Sequence, residues 1–336
     1  MRRADGALRA GQNDGEVPCV WALMRRRTAL FGLLAVGLGC STETATPRRA
    51  VSKRRKQPRE EPGPPPPANP PGTKIALDAL EERARAMRAR LDGRGFTVLV
   101  EAPFVVAGDE AADKVESRAA TTIRWSVKLL KQQYFAADPR DIVEVYLFRD
   151  ASSYYQHAKV LFDDEPETPY GYYTPDHGAL LMNIASGGGT LVHEIVHPFM
   201  AANFPGCPTW FNEGLASLYE QCEDRHGEIV GKTNWRLPAL QDAIRAGGMA
   251  SLSELLATTS DEFYEVYRSG LNYAKARYLC YYLQERGLLR NFYHQFLATR
   301  AGDPSGRMLL QQTVGYMDFA QFERDWRDFV MTLQYG

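Results

Sequence analysis

The stretch GGGTLVHEIVHPFM, residues 187–200, restricts this chain more than any other. It sets His193 and His197 four residues apart, with Glu194 next to the first of them. On an α-helix, residues four apart lie one above the other, so the two imidazoles share a face. Apolar residues flank them (Leu191, Val192, Ile195, Val196, Phe199, Met200), which marks the helix as buried. Buried His and Glu side chains without partners are costly. The spacing suits one zinc ion held by His193 and His197, with Glu194 turned about a hundred degrees round the helix toward water beside the metal. A solvated helix carrying the same three residues is the alternative, and the apolar flanks argue against it. By chance, His-Glu-x-x-His arises about once in a hundred chains of this length and composition.

A metal tripod needs a third protein ligand. Fifteen residues separate His197 from Glu213, which sits in PTWFNEGLASLYE. That separation lets a second helix fold back against the first. Further along, Ser217 and Glu220 fall one and two turns after Glu213 and are candidates to orient a metal-bound imidazole. Pro198 follows His197 directly; it has no N–H for the Glu194 carbonyl and is expected to kink the helix.

HEIVH followed by WFNEGLA resembles the gluzincin zinc metallopeptidases, in particular the peptidase-MA-like proteins of bacterial envelopes. The motif likeness covers about residues 190–220, and a weaker likeness in element order runs from about residue 100 to the end. The resemblance implies one zinc per chain, ligands His193, His197 and Glu213, and Glu194 as general base in peptide-bond hydrolysis. It implies an α+β fold, with a sheet-bearing N-terminal half and a helical C-terminal half around the metal helix. It also implies that the strand before that helix forms the sheet edge and receives extended peptide. By order this is GALLMNI, 178–184, with Asn183 as a backbone-reading side chain. An ordinary strand covered by the C-terminal helices is the alternative. Aminopeptidases of this type place a tyrosine about sixty residues after the glutamate ligand to stabilise the oxyanion. Tyr273 stands at that spacing, with Tyr264 and Tyr267 as neighbours and core packing as the other reading. The Gly-x-Met-Glu-Asn sequence that reads a free amino terminus is missing, which counts against strict aminopeptidase activity.

The rest of the chain frames this site. A net charge of −1 argues against a general nucleic-acid binder. Residues 1–23 read as an over-extended start, because Met24-Arg25-Arg26-Arg27 opens a basic, apolar, small-residue run ending at Cys40. Such a run resembles a lipoprotein-type signal peptide, although Gly37 stands where leucine is usual. Export to the bacterial envelope and a membrane anchor through a lipid on Cys40 are expected; simple cleavage or an uncleaved anchor is the alternative. Residues 41–72 combine a basic run with PGPPPPANPPG and read as an extended stalk. The zinc metallopeptidase-like domain spans 73–336. Its order is expected to be helix, one or two strands, long helix, strand, helix, a hairpin turning at Pro175–Gly178, the metal helix, and then helices from 237 onward.

Cys207 and Cys222 flank a helix about 18 Å long and cannot pair with each other, though one of them can reach Cys280. His157, His177, His226 and His294 lack metal spacing and read as surface or turn residues. Two other functions stay open. One is an envelope module that binds zinc or peptide without cutting. The other is a zinc amide hydrolase acting on cell-wall material. The substrate side is a peptide or protein in the first reading.

Overall fold

The computed structural model describes Pro70 and residues 72–335; the signal run, Cys40 and nearly all of the stalk lie outside them. Among the described residues no helix is long and apolar enough to cross a membrane.

The N-terminal half is built on alternation. In chain order it holds α1 (Leu77–Arg90), β1 (Thr97–Glu101), β2 (Phe104–Gly108), α2 (Ala112–Arg118), α3 (Trp125–Gln133), β3 (Val143–Phe148), α4 (Ala151–Phe162), β4 (Gly171–Thr174) and β5 (Ala179–Asn183). The five strands form one mixed sheet in the order β1-β2-β3-β5-β4. β2, β3 and β5 run parallel, and β1 and β4 are antiparallel to their neighbours. Side chains alternate faces along a strand. Val105, Ala107, Tyr146, Phe148, Ala179 and Leu181 therefore meet α1 and α4 on one side. Phe104, Val106, Val145, Leu147, Leu180 and Met182 point into the larger core on the other. With both faces covered, the central strands are largely apolar rather than alternating with polar residues; the exceptions are Glu144 on β3, paired with Arg90, and Asn183 at the end of β5.

That larger core is where the helical half docks. α5 (Gly189–Asn203), α6 (Thr209–Leu218), a hairpin of β6 (Cys222–Arg225) and β7 (Glu228–Gly231), α7 (Arg236–Arg245), α8 (Leu252–Ala257) and α9 (Ser260–Phe263) come first. α10 (Ser269–Glu285), α11 (Leu289–Thr299), α12 (Arg307–Val314) and α13 (Phe319–Thr332) complete it. The α+β organisation expected from the element order is thus present: the five-stranded sheet precedes α5 and a largely helical half follows it.

Three features depart from expectation. β5 is not the sheet edge, because β4 pairs along its outer side; the edge is β4. The long helix over 112–133 contains a π-helical stretch at Ala119–Arg124. The β6–β7 hairpin was not expected, since Cys-Glu-Asp-Arg shows no apolar alternation. Its turn is carried by His226 and Gly227, at φ of 57° and 84°, the left-handed pair that tight hairpins favour. As expected, Cys207 and Cys222 do not pair; those two and Cys280 are free thiols. The helix α5 runs through Pro198 and continues to Asn203.

Two close approaches fix α5 and its partner α6. A Cβ on Gly189 would sit 2.0 Å from the carbonyl oxygen of Glu220, so the chain just beyond α6 abuts the start of α5. A Cβ on Gly214 would sit 2.8 Å from the Ala276 carbonyl oxygen, so α6 and α10 touch backbone to backbone. From α10, the fully buried Arg277 donates from Nε to the Ser217 carbonyl (2.9 Å) and from Nη2 to the Leu218 carbonyl (3.2 Å). It thereby satisfies the orphan carbonyls at the end of α6.

Lys275, also on α10, is only 2% exposed. Burial pushes its pKa down to about 8, against the opposing pull of Glu254 and Glu323; Arg268 and Arg327 add to the lowering. The unfolded chain then binds the proton more tightly between about pH 8 and 10.5, so this lysine lowers stability below pH 8 and the penalty fades as pH rises. Lys275→Met is expected to be more stable than the parent at pH 7, on the order of 2 kcal/mol, with the gap closing toward pH 10.5. Thermal melts of the two proteins across that range check it; a parallel offset at every pH would contradict it.

Candidate metal centre

His193, Glu194 and His197 all lie on α5, and Glu213 reaches them from α6. The helices pack face to face, and the ligand atoms converge. His193 Nε2 is 3.3 Å from Glu213 Oε2, and His197 Nε2 is 3.7 Å from the same oxygen. Among the described residues, these three side chains form the group whose ligand atoms all fall within 4.8 Å of one another, and they could hold a metal ion. Tetrahedral coordination with bonds of about 2.0–2.1 Å places ligand atoms about 3.3 Å apart, close to what is seen.

The surroundings fit a metal as well. Glu213 is wholly buried, and its Oε2 accepts no hydrogen bond. A carboxylate oxygen in that state carries a large desolvation penalty unless a cation answers it. Burial would raise the Glu213 pKa, but the two imidazoles and the Tyr264 hydroxyl outweigh it and hold the group ionised. Burial pushes the His197 pKa down to about 4, against the pull of Glu213, which keeps the ring neutral at pH 7. A neutral imidazole and an ionised carboxylate are the forms that bind metals.

Each ligand has a partner behind it. His197 Nδ1 donates to Asn212 Oδ1 at 3.1 Å, which turns the Nε2 lone pair toward the centre. His193 Nδ1 lies 3.3 Å from Glu220 Oε1. Glu220 is gripped in turn by Arg236, at 2.8 and 3.0 Å, and by Asn234 Nδ2 at 3.0 Å. Burial would raise the pKa of Glu220; the Arg236 guanidinium and His193 overcome this and hold it at about 2. Tyr264, just past α9, donates to Glu213 Oε1 at 2.6 Å.

Of the two candidates for orienting an imidazole, Glu220 takes that position. Ser217 does not; its hydroxyl is buried with no hydrogen-bond partner. Asn212, Asn234 and Arg236 went unread in the sequence. Asn212 adjoins Glu213 and offered a signal, whereas Asn234 and Arg236 arrive across the β6–β7 hairpin, where nothing local points to the metal. Tyr273 is 1% exposed, its ring packed on Phe263 and under the Arg236 guanidinium, 5.0 Å from the ring centre. Its ring lies 6.3 Å from that of Tyr264.

The proposed peptide-reading residue Asn183 faces inward: Nδ2 donates to the Pro169 carbonyl at 2.8 Å, tying down the approach to β4. His157 stacks on Phe148, His177 packs edge-on to Phe162, and His294 bonds the Gln133 carbonyl at 3.0 Å, so none of these joins the metal group. His193, Glu194, His197 and Glu213 are 0–2% exposed. A cavity of about 400 Å³ opens beside the start of α5; Val192 and Glu220 line it, and none of those four residues does. No protein-family model and no curated protein matches the chain.

Proposed function

We propose that this domain is a gluzincin-like zinc hydrolase that cleaves peptide bonds. The observation that carries the reading is the convergence of His193 Nε2, His197 Nε2 and Glu213 Oε2, with Glu194 next to the first ligand on the same helix. Two imidazoles and one carboxylate form a donor set suited to zinc and leave a fourth coordination position for water or substrate. Zinc bound there would acidify a water molecule and polarise the scissile carbonyl. Glu194 takes the proton of the attacking water as the new C–O bond forms, and delivers it to the leaving nitrogen as the C–N bond breaks. β4 is the outermost strand on the α5 side of the sheet, the place where an extended peptide would add by strand pairing.

The two tyrosines divide the remaining work. Tyr264 holds Glu213 in place through its hydroxyl, and Tyr273 donates to the carbonyl oxygen as charge grows there. Tyr273→Phe is therefore expected to lower kcat about a hundredfold with little change in KM. Tyr264→Phe is expected to weaken metal retention about tenfold. If Tyr273→Phe matches the parent while Tyr264→Phe loses turnover at full metal occupancy, the roles are reversed.

One observation favours a second reading. A site whose ligands are 0–2% exposed resembles a closed structural zinc centre, as a non-catalytic envelope module would have. Digestion of a diverse peptide library by the zinc-loaded protein, with products mapped by mass spectrometry, separates the two. Defined cleavage products that vanish on chelation support hydrolysis. A fully loaded, intact protein that leaves the library uncut supports the structural role.

A further inference from the structure

The cavity beside α5 is built from elements far apart in sequence, and its lining is selective. Of the four described tryptophans, Trp210 and Trp326 are buried in the core with their indole N–H groups bonded to backbone carbonyls. Trp125 and Trp235 are half-buried, and both line this cavity together with half-buried Tyr170. Hydroxyl side chains stand among them: Thr121 and Thr122 from the π-helical stretch, Ser186 just before α5 and Thr190 in its first turn; Thr121 and Ser186 donate to the Ser117 and Asn183 carbonyls and keep their oxygens as acceptors. Stretches of π-helix recur at functional sites, where the wider turn redirects side chains. Gly187, Gly188 and Gly189 form a wall without side chains, and Gly187 adopts φ 107°, which few other residues tolerate.

Charge narrows the class of ligand. No lysine or arginine lines the cavity. Its one ionised side chain, Glu220, is already answered by Arg236 and Asn234. Anions such as phosphate have no basic partner here, and a cation would find a carboxylate already engaged. An apolar side chain would want aliphatic walls, and Val192 is the one large aliphatic residue present. Aromatic faces beside hydroxyl groups match a sugar ring, whose C–H faces pack on the rings while its hydroxyls exchange hydrogen bonds with Ser and Thr. The volume, about 400 Å³, falls within the range of small-ligand pockets.

We propose that this cavity is a saccharide site, holding a neutral sugar ring between Trp125, Tyr170 and Trp235. It does not depend on hydrolysis at the metal centre. Glu220, however, forms part of the cavity wall and also faces His193, so a bound sugar lies one side chain away from a ligand of the metal.

The test is isothermal titration calorimetry of the whole chain with N,N′-diacetylchitobiose, and with N-acetylphenylalanine amide as a peptide comparator. Saturable binding of the disaccharide at up to ~10 mM is expected, with none for the amide. Trp125→Ala and Trp235→Ala should each weaken it about tenfold or more. Thr122→Val, which keeps volume and removes one hydroxyl, should weaken it less and guards against loss of fold. His193→Ala should leave sugar binding intact while stripping metal, which separates this site from the metal centre. Failure of the disaccharide to saturate, binding of the amide alone, or unchanged affinity in both tryptophan variants would overturn the proposal.

Discussion

Glu194→Gln should keep its zinc and lose hydrolysis, by about a thousandfold in kcat. The substitution changes one oxygen for an amide nitrogen and keeps the shape, so the packing of α5 is undisturbed. Glu194 is 1% exposed and is not among the three converging ligands, so metal content should not fall. What disappears is the acceptor for the proton of the attacking water, since an amide at neutral pH takes none. A thousandfold loss corresponds to about 4 kcal/mol of transition-state stabilisation, a usual contribution for one well-placed general base. Parallel measurement of zinc content and peptide turnover decides the matter. Turnover at the parent rate in a fully loaded Glu194→Gln protein would remove this residue from the mechanism and leave the closed-site reading in front.

The parts of this site that were legible beforehand are those that a helix encodes locally. His193 and His197 share a face because the α-helical period stacks residues four apart; Glu220 lies just beyond the end of α6, where the chain abuts the start of α5 and brings its carboxylate to His193. The strands themselves were legible as apolar, β-branched runs, but which face each residue takes was not: Val105 and Val106, or Tyr146 and Leu147, are equally apolar and are sorted only by the pleat of the assembled sheet. Strand order was not legible either. Whether β4 or β5 lies outermost depends on which side of β5 the hairpin folds back, and the residues of GYYT and ALLMN do not record that choice. Arg236 was hidden by a different cause. Its role depends on the hairpin delivering residue 236 beside residue 220, a contact that only the assembled fold creates. The Tyr264 bond to Glu213 was hidden in the same way: the hydroxyl reaches the carboxylate because the short helix α9 ends there and turns it inward, a contact separate from the oxyanion role that the spacing of sixty residues suggests for Tyr273.

Glu213→Ala should release the metal, with affinity falling on the order of a thousandfold or more, because two imidazoles alone do not close a zinc tripod. The effect should also appear as stability. A ligand that binds only the folded state raises its stability with concentration, so zinc should raise the Tm of the parent and leave that of Glu213→Ala nearly unmoved. Without metal the two should differ little: burial costs the Glu213 carboxylate, while the imidazoles and the Tyr264 hydroxyl draw its pKa down and offset that cost. Glu220→Gln provides the graded control: it keeps an acceptor near His193 Nδ1 but loses the charge paired with Arg236, and should weaken zinc about ten- to a hundredfold. Zinc titration followed by thermal melts of the three proteins reads both effects at once. Equal zinc affinity in Glu213→Ala and the parent would mean that the convergence of these side chains serves packing and not metal.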